Sequence, residues 1–268
     1  MILSYVTPVS VLAADGDVVN LQILATSDLH GRFMPYVYAT DEANLNGSFA
    51  QIATVVKQER AKNPNTILVD NGDTIQDNSN HIFLEDATHP MILAMNEMGY
   101  DTFTLGNHEF NYGVPKLEKV ISQFKGTVLA GNVIRPDGTP LAAGYKIVEK
   151  GGVKVGIVGM TNPNITKWDA ANLEGYKALS PITEARKVVD EIKDKVDVLV
   201  ATIHVGPTQE YLNDDGADVI AKAIPEFAAI VAGHAHSKVP EIRTSTGAVI
   251  TEPVNAGGQV AKIELKLT

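Results

Sequence analysis

The 268-residue chain contains no cysteine. Disulfides, thiolate metal sites and a cysteine nucleophile are excluded together, so any metal site must be built from His, Asp, Asn or Glu. Positive charge is also scarce. Against 32 Asp and Glu stand 22 Lys and Arg, a formal net charge of −10 that is spread along the chain rather than gathered in blocks. Coating a nucleic-acid duplex takes a basic stripe and electrostatic membrane anchoring takes a polybasic cluster; both are missing. An acidic protein that handles anionic substrates needs local positive charge, and bound metal ions are one source of it. Beyond the first residues no apolar run is long enough to span a bilayer, and there is no repeat, linker or low-complexity tract. The length and apolar content fit one large α/β domain with an ample core.

Ile2 to Ala14 is apolar, ends in small residues (Val11-Leu12-Ala13-Ala14) and turns polar at Asp15-Gly16-Asp17, with no Lys or Arg before Arg32. This has the form of a secretory signal whose basic start is missing. Residues 1–17 are therefore read as a leader or signal-peptide remnant and residues 18–268 as the folded domain, with an ordinary disordered or strand-forming leader as the competing reading. A signal remnant implies a secreted, periplasmic or cell-wall-associated bacterial protein. From Val18 onward, strands and helices alternate. Strands are expected over Val18–Thr26, Thr66–Asp70, Tyr100–Leu105, Thr127–Ala130, Val198–Ile203 and Ala228–Ala232. Helices are expected over Phe49–Arg60, Pro90–Met98, Pro115–Ile121, Ile182–Lys195 and Ala217–Ile224. Gly151-Gly152 marks a hairpin between Tyr145–Glu149 and Lys154–Met160, and strands close the chain at Glu241–Thr244, Ala248–Thr251 and Gln259–Leu267. Hairpins cannot all extend one parallel sheet, so two sheets are expected.

The chemistry gathers at strand ends. The first strand runs into Asp28-Leu29-His30-Gly31, where residues two apart share a face and glycine lets the backbone turn closely. The second ends in Asp70-Asn71-Gly72-Asp73, the third in Gly106-Asn107-His108-Glu109, and a later one in His204. Another closes with Gly233-His234-Ala235-His236, two imidazoles at a metal-pair spacing. Taken singly, a turn, a helix cap or a hydrogen-bonded core histidine explains each as well as a site does. If the strands run parallel, however, their carboxyl ends share one rim. Asp28, His30, Asp73, Asn107, His204, His234 and His236 then make a mixed N/O set too large for one ion. Two cations about 3.5–4 Å apart would use it fully, with Asp73 as the bridging carboxylate.

This ordered set resembles the calcineurin-like metallophosphoesterase pattern. The stretches Asp70–Gln76 and Gly106–Gly113 are similar to the 5′-nucleotidase family, nearest its 2′,3′-cyclic-nucleotide 2′-phosphodiesterase/3′-nucleotidase branch. The resemblance covers about Asn20 to Leu267 and implies a four-layer α/β/β/α sandwich with metals at the rim between the sheets. By position it implies one ion on Asp28, His30, Asp73 and His236, and another on Asp73, Asn107, His204 and His234. His108 takes the place of the catalytic histidine. Where 5′-nucleotidases typically have an Asp to orient that histidine, this chain has Asn111, and His236 stands where they often carry Gln. Both features favour the cyclic-phosphodiesterase branch. The implied reaction is in-line attack on phosphorus by a hydroxide bridging two divalent metal ions. Mn²⁺ or Zn²⁺ is expected, and the donor set also suits Fe or Co. A 5′-nucleotidase or nucleotide-sugar hydrolase is the alternative, and a non-catalytic metal-binding surface module a more distant one. The family usually continues into a C-terminal domain that stacks the nucleobase. Phe33, Tyr36, Tyr112 and Trp168 are this chain's candidates for partial stacking.

Overall fold

The structure, a computed structural model, describes residues 2–11, 19–211 and 214–267. Its main strands are β1 (Ile2–Val11), β2 (Val19–Thr26), β3 (Thr66–Asp70), β4 (Thr102–Thr104), β5 (Thr127–Leu129), β6 (Tyr145–Lys150), β7 (Val153–Met160), β8 (Val198–Ile203), β9 (Phe227–Val231), β10 (Val239–Arg243), β11 (Val249–Glu252) and β12 (Gln259–Leu267). The helices are α1 (Phe49–Lys62), α2 (Pro90–Met98), α3 (Val114–Ile121), α4 (Ile165–Trp168), α5 (Pro181–Ile192) and α6 (Ala217–Ala223). One six-stranded sheet has the order β1-β12-β2-β3-β4-β5 and the other β10-β11-β9-β8-β7-β6. Strands β2 to β5 are parallel neighbours in the first sheet, and β7, β8, β9 and β11 in the second.

Alternation along each strand sorts the apolar residues into three cores. Ile23, Ala25, Ile67 and Val69 of the first sheet meet Val155, Ile157, Val200 and Val231 of the second in a dry middle layer. Leu24, Leu68 and Phe103 point the other way, against Ile52 and Val56 of α1, Met95 of α2 and Leu117 of α3. Leu199, Ala201 and Ile230 turn outward from the second sheet against Val189 and Ile192 of α5 and Ile220 of α6. Three apolar interfaces need four layers, so the expected α/β/β/α sandwich is the observed architecture. Local signals agree with it. Ser48 accepts a hydrogen bond from the Gln51 backbone N–H and caps α1. Gly151 and Gly152, with φ of 59° and 80°, make the two-residue turn between β6 and β7.

Some boundaries differ from expectation. The strand expected over Tyr100–Leu105 is paired only at Thr102–Thr104, and the helix expected to reach Lys195 ends at Ile192 and tightens into a 3₁₀ turn. Helix α4 carries too few residues to show a periodic face and was not expected. Within the stretch read as a leader, Ile2–Val11 form the edge strand β1, parallel to β12 with Ile2 opposite Gln259 and Val11 opposite Leu267. Residues 1 and 12–17 of that stretch lie outside the described residues. An apolar run of this length reads equally as strand or signal, because periodicity does not separate them. No helix among the described residues is long and apolar enough to cross a membrane.

Candidate metal centre

Every expected donor lies just beyond the carboxyl end of a parallel strand: Asp28 and His30 after β2, Asp73 after β3, Asn107 after β4, His204 after β8, and His234 and His236 after β9. The first three strands belong to one sheet and the last two to the other, so the donors meet across the seam. Asp28, His30, Asp73, His234 and His236 all adopt left-handed backbone conformations, with φ between 46° and 71°. Such a conformation costs on the order of 1 kcal/mol for a residue bearing a Cβ, so five together mark loops shaped for a purpose other than stability.

Two clusters result. In the first, His30 Nε2 and His236 Nε2 are 2.9 Å apart, and Asp28 Oδ1 lies 3.4 Å from His236 Nε2 and 4.0 Å from His30 Nε2. In the second, Asp73 Oδ2 is 3.1 Å from His204 Nε2, His234 joins them, and Asn107 Oδ1 is 2.7 Å from His234 Nδ1. The clusters share a border, since Asp28 Oδ1 is also 3.9 Å from His204 Nε2. Donors around a cation held at ordinary N/O distances stand roughly 3–3.5 Å from one another. The buried His204 Nε2 makes no hydrogen bond although it touches Asp73, as a ligand atom aimed at an ion would. The donor set thus fits two divalent cations. All seven expected ligands are brought together, four in the first-sheet loops and three in the second.

Charge is balanced tightly here. Burial works to raise Asp28 and Asp73, but the surrounding imidazoles, His204 foremost, together outweigh it and hold both carboxyls below their usual range. Burial, reinforced by neighbouring His204, pushes His234 down to about 4 and keeps it neutral. Asp28 and Asp73 also repel one another, a tension that cations would relieve.

Behind the donors lies scaffolding that the sequence did not reveal. Glu109 is fully buried, and its carboxylate accepts the backbone N–H groups of Asp73 (2.8 Å), Gly106 (2.7 Å), Thr74 (2.7 Å) and Ile75 (3.3 Å). Burial and the Asp73 charge raise its pKa. Asn71 Nδ2 donates to both Ile203 O and Val231 O, fastening the end of β3 to β8 and β9. Gln76 Oε1 meets His30 Nδ1 at 2.9 Å, and Asn71 O meets His204 Nδ1 at 2.5 Å, so the other ring nitrogen of each faces the donor clusters. Gly106 is packed so closely that a Cβ there would overlap Asp73 Oδ1 and backbone N and stand 2.8 Å from His204 Cε1.

His108 sits at the rim beside His30, ring centroids 5.4 Å apart, in a cleft shared with Arg32, Gln76 and His236. Its Nδ1 is 2.6 Å from Asn111 Oδ1. Of the four candidate stacking aromatics, only Trp168 adjoins the donors. Its half-exposed ring stacks on His234 at 5.2 Å, and exposed Tyr211, which sequence reasoning passed over, packs edge-on against it. Phe33 and Tyr112 pack against the helix-side core of the first sheet, and Tyr36 bonds Asp41 and leans on Tyr38.

Residues 21–238 match the family described as calcineurin-like phosphoesterase. The chain belongs to the calcineurin-like phosphoesterases. This phosphoesterase is 33% identical to the trifunctional nucleotide phosphoesterase protein YfkN of Bacillus subtilis, in an alignment of 306 residues over 100% of this chain and 21% of that protein. It is 36% identical over 244 residues to a 2′,3′-cyclic-nucleotide 2′-phosphodiesterase/3′-nucleotidase of Haemophilus influenzae, covering 83% of this chain and 37% of the relative. The crystal structure of the calcineurin-like phosphoesterase YfkN from Bacillus subtilis superposes with a TM-score of 0.84 at 30% identity, over 93% of this chain and 86% of that one. The phosphoesterase spans well under half the length of these curated relatives.

Proposed function

We propose that this domain hydrolyses nucleotide phosphoesters, with 2′,3′-cyclic nucleotides and 3′-nucleotides as its preferred substrates, and that it does so with two divalent metal ions, Mn²⁺ or Zn²⁺. The observation that carries the reading is the convergence of seven donors from both sheets into two adjoining clusters, with His108 beside them. The names of the curated relatives and the Asn111 partner of His108 support the cyclic branch. Asp28, His30 and His236 would hold one ion and Asp73, Asn107, His204 and His234 the other, with Asp73 reaching toward both. Bound divalent cations supply Lewis acidity, neutralising phosphoryl charge and making water nucleophilic near neutral pH. His108, held by Asn111, donates a hydrogen bond to the phosphoryl group and passes a proton to the leaving ribose oxygen. The Trp168–Tyr211 ledge offers an apolar face to a base. A further C-terminal domain that completes the base pocket and an extracytoplasmic setting both belong to this reading, the second resting on the leader-like residues 1–17.

The test is a substrate panel of 2′,3′-cAMP, 3′-AMP, 5′-AMP and bis-p-nitrophenyl phosphate, with added Mn²⁺ or Zn²⁺ and bound metal measured in parallel. Fastest turnover of 2′,3′-cAMP with two metals per chain is expected. Faster turnover of 5′-AMP would move the assignment to a 5′-nucleotidase, and no turnover of any substrate by metal-loaded protein would end it. Asp73→Ala and His234→Ala should lose metal and turnover together. His108→Ala should keep its metal and slow by about 10²-fold.

A further inference from the structure

The histidine beside the metal centre is backed by a neutral amide, but a carboxylate stands one step behind. Asp169, immediately after α4, accepts a hydrogen bond at Oδ2 from Asn111 Nδ2 at 2.6 Å. Asn111 in turn presents Oδ1 to His108 Nδ1 at 2.6 Å. A third side chain closes the group: Asn172 Nδ2 donates to the Asn111 carbonyl at 3.0 Å and to Asp169 Oδ1 at 3.4 Å. The relay joins the 3₁₀ turn at His108–Phe110, which follows β4 of the first sheet, to the α4 region, which follows β7 of the second.

We propose that Asp169 is a positioning residue that sets the tautomer of His108 through Asn111. A carboxylate accepts and cannot donate, so Asn111 must turn its NH₂ toward Asp169. That leaves the amide oxygen facing His108, and an oxygen there accepts only, so Nδ1 carries the hydrogen. The neutral imidazole is thereby fixed with its lone pair on Nε2, and the cationic form with an Nε2–H to give. Without Asp169 the two faces of the Asn111 amide are close to equivalent. A flipped amide would donate to Nδ1, move the lone pair there and leave Nε2 unable to take up a proton. In this chain the pairing of imidazole and carboxylate is kept, with an amide inserted between them. The inference rests on the catalytic role proposed for His108, but its first readout does not depend on turnover.

The experiment uses the metal-loaded chain labelled with ¹⁵N, with His108 identified by the signals missing from His108→Ala. Long-range ¹⁵N–¹H correlations report which ring nitrogen is protonated. Wild type should show the Nδ1–H form. Asp169→Asn should shift it toward Nε2–H and lower kcat about tenfold, with KM, bound metal and the unfolding midpoint nearly unchanged. Adding Asn111→Asp to Asp169→Asn should restore the Nδ1–H form and most of the rate, because a carboxylate then accepts from Nδ1 directly. Asn111→Asp alone sets two carboxylates against each other and should be slower than the double variant. Asp169→Ala frees the same amide and gives a second reading should Asp169→Asn fold poorly. An unchanged tautomer in both Asp169 variants overturns the proposal. So does a loss that tracks metal or stability and is not rescued by Asn111→Asp, which marks a loop-holding role. If His108→Ala keeps the full rate, the catalytic reading of His108 falls, while the tautomer shift still decides the role of Asp169.

Discussion

Replacing Glu109 with Gln changes one oxygen to an NH₂ and leaves volume and shape almost intact. In the native loop each carboxylate oxygen serves two backbone donors: Oε2 takes the N–H groups of Asp73 and Gly106, and Oε1 those of Thr74 and Ile75. A Gln side chain keeps one oxygen and turns its own N–H groups at the other pair. Two buried donors then lose their acceptor, at about 1–3 kcal/mol each, so Glu109→Gln should destabilise the domain by about 2–6 kcal/mol. That is a large share of the roughly 5–15 kcal/mol that holds a typical domain folded. Because the orphaned pair includes either Asp73 N–H or its neighbour Thr74 N–H, the loop carrying the Asp73 ligand should shift and metal affinity should fall too. Equilibrium urea unfolding in the presence of chelator isolates the stability effect, and metal titration of the folded variant isolates the second. A loss below about 0.5 kcal/mol would show that water or a rearranged loop serves the donors, and would refute the cradle assigned to Glu109.

Two further perturbations test the scaffold. Gly106→Ala places a Cβ against Asp73 and His204; metal binding and turnover should collapse while circular dichroism stays native, and a variant that keeps both would show that the loops are not locked together there. Asp70 is fully buried among Thr26, Thr74 and Gly72 N, and burial pushes its carboxyl up to about 7. The folded state keeps a proton that the unfolded chain has lost, so this contribution is complete below pH ~4 and disappears as pH rises to about 7, in total about 4 kcal/mol. Asp70→Asn mimics the protonated form and should gain on wild type across that window by urea unfolding. A stability difference that does not change between pH 4 and 7.5 would contradict it.

Much of the architecture is legible in the sequence because parallel strands buried on both sides read as mainly apolar runs, as Val198–Ile203 does, and because each of the ligand-bearing runs gives way to a candidate ligand, in most cases beside a glycine. The donors could be gathered on one rim without knowing which sheet each strand joins. Their division into two clusters was legible only through the family resemblance, since in physical terms it follows from the seam between the sheets and from His234 turning Nδ1 to Asn107. Glu109 sits in the same motif as His108, but nothing local shows that its carboxylate collects amides from a loop more than 30 residues earlier. Asp169 is hidden for the same reason, being 58 residues from the side chain it orients. The pairing of β1 with β12 was not legible either, because the two strands lie at opposite ends of the sequence.

Each donor cluster draws on both sheets: Asp28 and His30 face His236 in one, Asp73 and Asn107 face His204 and His234 in the other. Ions seated there would act as a pair of removable rivets through the sandwich, in a polypeptide that has no sulfur cross-links to do that work. Filling the sites ties the halves at one end of the dry middle layer, and stripping them lets that end gape while the opposite end stays packed. Resistance to unfolding is then tied to metal supply by mass action.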